Sequence, residues 1–168
     1  MSNLPPTRHQ FEVTAIHLRA YPYGEGDQII QIFTHEHGLL RTIAKGSRRP
    51  KSKLAGLIAP LRCTKLSLIR GRNLHRIIHA ESFQSMSAIQ SDYDRLITGL
   101  IIGELTAQFC QEEDAQPDLF KSLLLTLTVL NQSDAPKMVL LWFILYFLEN
   151  QGYFFYWDSC SICEIELD

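Results

Sequence analysis

A chain of 168 residues, 46% hydrophobic and 20% charged, can bury a core as one large domain or two small ones, and its composition excludes a disordered or collagen-like protein. The formal charge of −2 hides a division: residues 1–80 carry 13 Lys/Arg against 4 Asp/Glu (+9), residues 81–168 carry 3 against 14 (−11), and all six histidines lie in the first part. Four cysteines, only two of them close together, exclude a disulfide framework, MSNLPPTRHQ lacks the apolar run of a secretory signal, and the longest apolar run, residues 138–148, is too short to span a bilayer, so a cytosolic protein is expected.

Residues 1–10 read as a loose arm. From Phe11 the chain alternates with apolar groups on both sides, Phe11, Val13, Ala15 and His17 on one and Thr14, Ile16 and Leu18 on the other. Such a strand suits the wall of a small barrel better than an open two-layer sheet. A turn-rich connection at 21–26 leads to a second strand at 28–34, a tight turn at 35–38 and a third strand at 39–44. A fourth strand (61–69) and a fifth (74–80) are joined by Arg70-Gly-Arg-Asn73, where Gly71 and Asn73 are available for positive φ. Five short strands with the longest connection after the third predict a Greek-key barrel of the OB type over residues 1–82. An SH3-like barrel has the same strand count.

From about Ser85 the period becomes helical, so residues 83–168 are expected to form an α-helical domain and the fold class is α+β. Ser87 is the expected N-cap of a first long helix whose face is marked by Tyr93, Ile97, Leu100, Ile101, Leu105 and Phe109, with Glu104 as a boundary carboxylate suited to an ion pair. Glu112-Glu-Asp-Ala ends it. Pro117 opens a second helix; Ser133 or Asp134 caps a third, with Pro136 in its first turn and Gly152 at its end. The middle of the third, MVLLWFILYFL, is apolar all round and is expected at the buried centre of the bundle. Cys160-Ser-Ile-Cys163 then places two thiolates on one tetrahedral edge, half of a zinc site, with Cys63 and Cys110 too scattered to complete it.

Between the third and fourth strands lies KGSRRPKSK, residues 45–53. Five of its nine residues are cationic (Lys45, Arg48, Arg49, Lys51 and Lys53) and none is acidic. So dense a cluster belongs on the surface, where phosphate is its common counter-charge. No phosphate-binding Gly-x-x-x-x-Gly-Lys-Ser/Thr, Gly-x-Ser-x-Gly or His-Glu-x-x-His occurs, and His35-Glu-His37 reads as a polar turn, so a non-enzymatic protein is expected. In OB barrels the second and third strands and the loops joining strands 1–2 and 4–5 form the binding face. Here those loops carry Tyr21 and Tyr23, and Arg70 and Arg72. With Phe33, the tyrosines would stack on bases while the cations hold phosphates; Phe33 has an equal reading as barrel core. The acidic half should repel the same polymer and confine it to the barrel. An RNA-binding OB protein and a protein-interaction adaptor are the rival readings.

Tyr23-Gly-Glu-Gly-Asp27, Ile32-Phe-Thr-His-Glu-His-Gly38 and Ala44-Lys-Gly-Ser-Arg-Arg-Pro-Lys-Ser52 resemble the bacterial recombination mediator family RecO. Later features are similar in their order over residues 11–163: Gly71 with Leu74, Glu104-Leu105, Gly152 before an aromatic stretch, and Cys160-x-x-Cys163. The resemblance implies an N-terminal OB fold, a helical domain, binding of single- and double-stranded DNA, and strand annealing. It also implies partnership with RecR and with the tail of the single-strand-binding protein, recombinase loading in gap repair, and a cytoplasmic, nucleoid-associated location. Members usually continue for several tens of residues, completing a four-cysteine knuckle in those that hold zinc. This sequence ends after the first pair, so zinc is implied only through the half-site Cys160 and Cys163, and the tail-binding site is expected to be incomplete.

Overall fold

The computed structural model describes residues 10–153. Five strands, β1 (Gln10–Tyr23), β2 (Asp27–Thr34), β3 (Gly38–Ala44), β4 (Cys63–Ile69) and β5 (His75–Gln84), close into a barrel in the order β1-β2-β3-β5-β4. Neighbours run antiparallel except β3 and β5, whose short parallel contact pairs Thr42 with His75 and Ile43 with Arg76. That parallel closure after a long β3–β4 connection is the OB-type Greek key, and it removes the SH3-like alternative. In the β4–β5 turn neither Gly71 nor Asn73 takes a positive φ. Gly71 is needed for closeness instead, because a Cβ there would lie 1.9 Å from the Leu74 carbonyl oxygen.

The strands are apolar on both sides because each side has its own core. Val13, Ala15, Ile30, Ile32, Leu40, Ala44, Leu66, Leu68, Ile77 and Ala80 fill the barrel, and Ile58, from the β3–β4 connection, joins them. Ile16, Leu18, Phe33, Leu39, Leu61 and Cys63 belong to a second cluster shared with the helices. His17 is wholly buried beside the first core. Its Nε2 lies 2.7 Å from Thr64 Oγ1 and its Nδ1 has no partner among the described residues. Burial pushes its pKa down to about 3.

The helices are α1 (Ser87–Ser91), α2 (Tyr93–Phe109), α3 (Pro117–Gln132) and α4 (Pro136–Asn150). The single helix expected from Ser87 is broken at Asp92, whose extended backbone ends α1 and whose carboxylate accepts from the Arg95 amide at 2.9 Å to cap α2. Pro117 and Pro136 open α3 and α4 as expected, but the expected caps do not form: the N-cap positions of α1 and α4 are Met86 and Ala135, neither with a side-chain cap, and Ser133 Oγ accepts from the Ala135 amide ahead of α4. Glu104 is indeed paired, with Arg19 of β1, whose Nε donates to Oε2 at 2.6 Å.

Two helix faces differ from the sequence expectation. Tyr93, Ile97, Leu100, Ile101 and Phe109 are exposed; α2 buries Thr98, Gly99, Ile102, Gly103, Thr106 and Ala107 instead. The barrel wall already supplies the bulk: a Cβ on Gly99 would come within 2.6 Å of Leu61 Cδ1. At Gly99 only a residue without a side chain lets α2 approach that wall, so apart from Ile102 the buried face is built of small residues. Helix α4 is not the buried centre of the bundle either. It buries Val139, Phe143 and Phe147, while Met138, Leu141 and Trp142 are exposed. Among the described residues no helix is long and apolar enough to cross a membrane.

Phe33 and Phe120, with ring centroids 6.2 Å apart, join barrel to helices, so Phe33→Ala should cost about 3–5 kcal/mol. In urea denaturation followed by far-UV circular dichroism and by tryptophan fluorescence, both transitions should move together to lower urea. Two separated transitions, or a change within about 0.5 kcal/mol, would contradict a shared core. His17 makes a second prediction. Its folded pKa lies below its unfolded value, so the unfolded chain binds the extra proton and stability is lost as pH falls below about 6.5 towards 3. The loss should reach about 1.4 kcal/mol per pH unit, and His17→Gln should remove that slope from the stability curve measured between pH 7 and 4.

Candidate nucleic-acid interface

The basic segment leaves the end of β3 and is held against the β1–β2 turn. Asp27 Oδ1 accepts from the Gly46 amide at 2.7 Å, and the Gly26 carbonyl accepts from the Arg48 amide at 3.0 Å. Ser47 is buried, its Oγ 3.0 Å from the Ala44 carbonyl oxygen and 3.1 Å from Gln28 Oε1. Turn bonds from Arg49 to Gly46 and from Ser52 to Arg49 fold the segment back on itself. The Arg49 side chain lies over Gly26, where a Cβ would sit 3.2 Å from Nε. Beyond Lys53, Leu54 and Leu57 pack on the barrel core beside buried Ile58, so the loop is anchored at both ends. The polar backbone and the apolar tail are tied down, and the cations are left outside. Lys45, Arg48, Arg49, Lys51 and Lys53 are all exposed, and among the described residues none forms an ion pair with a carboxylate. Tyr21 and Tyr23, about half exposed, lie not in the loop but at the end of β1, paired with Ile29 and Asp27 beside the same turn.

Register fixes what lies beside this loop. At the loop end of the sheet Gln28 pairs with Ala44; at the far end Thr34 pairs with Gly38. Between them Ile29 faces Ile43 and Gln31 faces Arg41 across the outer surface, alternating with the inward Ile30, Ile32, Leu40 and Ala44. Arg76 of β5, exposed, pairs with Ile43 and widens this strip. The β4–β5 hairpin borders its far end. There Arg72 and Asn73 share a groove of about 240 Å³ with Leu39, Leu40 and Arg41, and the Arg70 guanidinium sits 5.5 Å from the centre of the Phe11 ring. The basic loop, tyrosines, strip and hairpin thus form one outer face, with cations at both ends and along it.

One sequence-derived site residue does not join that face, and two lie outside the described residues. Phe33 is wholly buried against Phe120, so the core reading holds for it and it cannot stack on a base. Cys160 and Cys163 lie outside the described residues. The cysteines within them offer no thiolate: Cys63 and Cys110 are buried, and burial pushes their thiols up to about 12 and about 11. Among the described residues no group of three or more His, Cys, Asp or Glu side chains could hold a metal. His35 and His37 diverge, one edge-on to Phe120 and the other edge-on to Phe11. In the other direction, Arg41 and Arg76 were missed. Each is a lone cation within an otherwise apolar alternating strand (LLRTIA and LHRIIHA), a pattern that obliges it to face outwards.

Comparison with family models matches the N-terminal domain of recombination protein O over residues 8–86 and its C-terminal domain over residues 90–168. The break between the two falls at the β5–α1 junction. A protein of Dehalococcoides mccartyi strain CBDB1, named DNA repair protein RecO, is 32% identical over 159 residues, which are 95% of this chain and 63% of that protein. Proteins of the same name from Cupriavidus metallidurans and Acaryochloris marina are 31% and 34% identical, over 92% and 73% of this chain and 52% and 42% of their own lengths. The chain therefore spans 42 to 63% of the length of these relatives.

Asp27 is the side chain that fastens the basic segment to the first turn. Loss of a hydrogen bond to a charged acceptor costs about 1.5–3 kcal/mol, so Asp27→Ala should let the segment open roughly tenfold more often or more. Trypsin cleavage after Arg48 and Lys51 should accelerate accordingly (the Arg49–Pro50 bond is resistant), with the far-UV spectrum unchanged; an unaltered cleavage rate would show that the segment is held by other means.

Proposed function

Because the chain belongs to the RecO family, we propose that it acts in DNA repair as a non-catalytic, nucleic-acid-binding recombination mediator. DNA lies on the outer face of β2 and β3, between the basic segment and the β4–β5 hairpin. The observation that carries this reading is the pinned, exposed cation cluster at residues 45–53, set beside two exposed tyrosines and continuous with Arg76. Asp27 and Gly26 accept from backbone amides of the loop and Gln28 accepts from the Ser47 hydroxyl, so the loop's cations are presented in advance and little ordering is required when phosphate arrives. Lys45, Arg48, Arg49, Lys51 and Lys53 hold phosphates, Arg70 and Arg72 extend the track, and Tyr21 and Tyr23 stack on bases. Helices α2–α4 bring carboxylates and an apolar surface, so the polyanion stays on the barrel.

In this reading the chain holds single strands and duplex alike, lets complementary strands meet, and works with RecR, the tail of the single-strand-binding protein and, indirectly, the recombinase filament. These roles are those of the family, and the cytoplasmic nucleoid is where they are exercised. A zinc ion held by Cys160 and Cys163 needs further ligands than this pair supplies.

The test uses the whole chain, because Phe33, Leu39 and Leu61 share a core with the helices and a cut near Ser85 would bare it. If the loop engages about four to five phosphates, log affinity for single-stranded DNA should fall against log salt with a slope of roughly −3. Arg48→Ala, Arg49→Ala and Lys51→Ala together should bring the slope to about −1 with thermal stability unchanged. The same slope in a folded triple variant would remove the loop from the interface. A marked preference for RNA of equal length would favour the RNA-binding reading, and negligible affinity at moderate salt the adaptor.

A further inference from the structure

The connection between α2 and α3, residues 111–116, does not cross open surface. It is laid along the first residues of β3, at the far end of the proposed DNA face. The Glu113 amide donates to the Leu39 carbonyl oxygen at 3.0 Å, and Leu39 and Glu112 form a parallel bridge. Gly38 accepts this closeness because it has no side chain: a Cβ there would lie 1.8 Å from the Asp114 carbonyl oxygen. Glu113 itself is held at φ 58, a left-handed conformation that carboxylate residues adopt only where surrounding contacts impose it.

The segment so placed carries Glu112, Glu113 and Asp114. Glu112 Oε1 lies 3.9 Å from Arg41 Nε, and Glu113 Oε1 lies 3.9 Å from His75 Nε2. Both glutamates line the same groove as Arg41, Arg72 and Asn73. Glu113 also borders the small cavity formed by Phe11, His37, Leu40, Arg70 and His75. The ring of His75 is buried and its pKa is lowered, chiefly by that burial, so it leaves the charge of Glu113 uncancelled at neutral pH. Two carboxylates therefore share a groove with Arg41 and Arg72, and one of them a cavity with Arg70, at the place where a polyanion travelling along β3 would arrive.

Resting on the DNA-binding reading above, we propose that the α2–α3 connection is a built-in anionic brake: Glu112 and Glu113 stand against the cations at the far end of β3, so DNA is held firmly by the basic loop and only weakly at Arg41 and Arg72. The brake weakens grip at one end only. It sets where the strand leaves the barrel and keeps the bound polymer from running on towards the helices.

The experiment measures binding of fluorescein-labelled oligothymidylate by anisotropy at two salt concentrations. Glu112→Gln with Glu113→Gln keeps size and the backbone bonds while removing both charges. Wild type should bind, and the double variant should bind roughly fivefold more tightly, with a slope steeper by about 1 as Arg41 and Arg72 gain phosphates. Arg41→Ala should change little in the wild-type background and abolish most of the gain in the Gln/Gln background. Neutralising two exposed carboxylates elsewhere, Asp94→Asn with Glu149→Gln, should not reproduce the gain. Wild-type binding with an unchanged Gln/Gln variant, an equal gain from the control pair, or an equal Arg41→Ala effect in both backgrounds overturns the brake and leaves the DNA-binding reading standing. Binding by neither protein overturns both.

Discussion

A small barrel whose wall is apolar on its outside cannot stand in water by itself. Ile16, Leu18, Phe33, Leu39 and Leu61 point away from the barrel core and are each 3% exposed or less in the complete chain. Covering them is what gives the helices their place. Phe120 of α3 meets Phe33, α2 slides its glycines over Leu61, and Arg19 reaches across to Glu104. Burying five such side chains is worth several kcal/mol, of the same order as the net stability of a whole domain. The two halves of the chain are distinct in sequence and in charge, yet they share one of the two cores.

That constraint also determines which part of the barrel remains open. Once helices lie over Phe33 and Leu39, the uncovered portion of the β2–β3 surface is the strip of Ile29, Gln31, Arg41 and Ile43. The basic loop bounds it at one end and the β4–β5 hairpin at the other. Position on the barrel, rather than the loop alone, makes the cations a surface, because Arg41 lies on β3 itself and Arg76 is brought beside it from β5, a strand distant in sequence.

The strands, the turns at Gly24 and Gly38, both proline-led helices and the basic segment were legible because each rests on a local rule: alternation, positive φ, a missing amide, unbroken charge; the β4–β5 turn was placed, but its expected positive φ at Gly71 and Asn73 is not taken. What escaped depended on a partner. Alternation showed that both sides of β1 are apolar but not which side faces helices, so Phe33 read equally as core or as stacking platform. On α2 the large residues Ile97, Leu100, Ile101 and Phe109 dominated the periodicity, whereas the buried face uses Gly99, Gly103, Thr106 and Ala107, since the volume there was already filled by Leu61 and Leu18. On α4 an all-round apolar sequence carried no phase at all, and three residues out of its eleven-residue apolar core turned inwards. The acidic connection at residues 111–116 read as an ordinary helix end; nothing in its own sequence says that it lies on β3.

The outward residues of β2 and β3 that the helices leave uncovered, Ile29, Gln31, Arg41 and Ile43, are aliphatic, amide and cationic, with no aromatic among them. The exposed aromatics on this face are Tyr21 and Tyr23, gathered at the loop end. On the proposed function, base contact is therefore confined to one short stretch, and the rest of the grip is charge against phosphate. Phosphate contact is indifferent to sequence, and it does not require bases to be splayed apart, so their pairing edges stay free. A surface that seized each base by stacking would have to surrender several contacts, each worth about 1–3 kcal/mol, before a complementary strand could pair. A surface that holds phosphates gives up no base contact when the strands join, and counter-ions from solution can replace its cations one at a time. The distribution of side chains over this barrel thus suits a protein that brings strands together better than one that stores them.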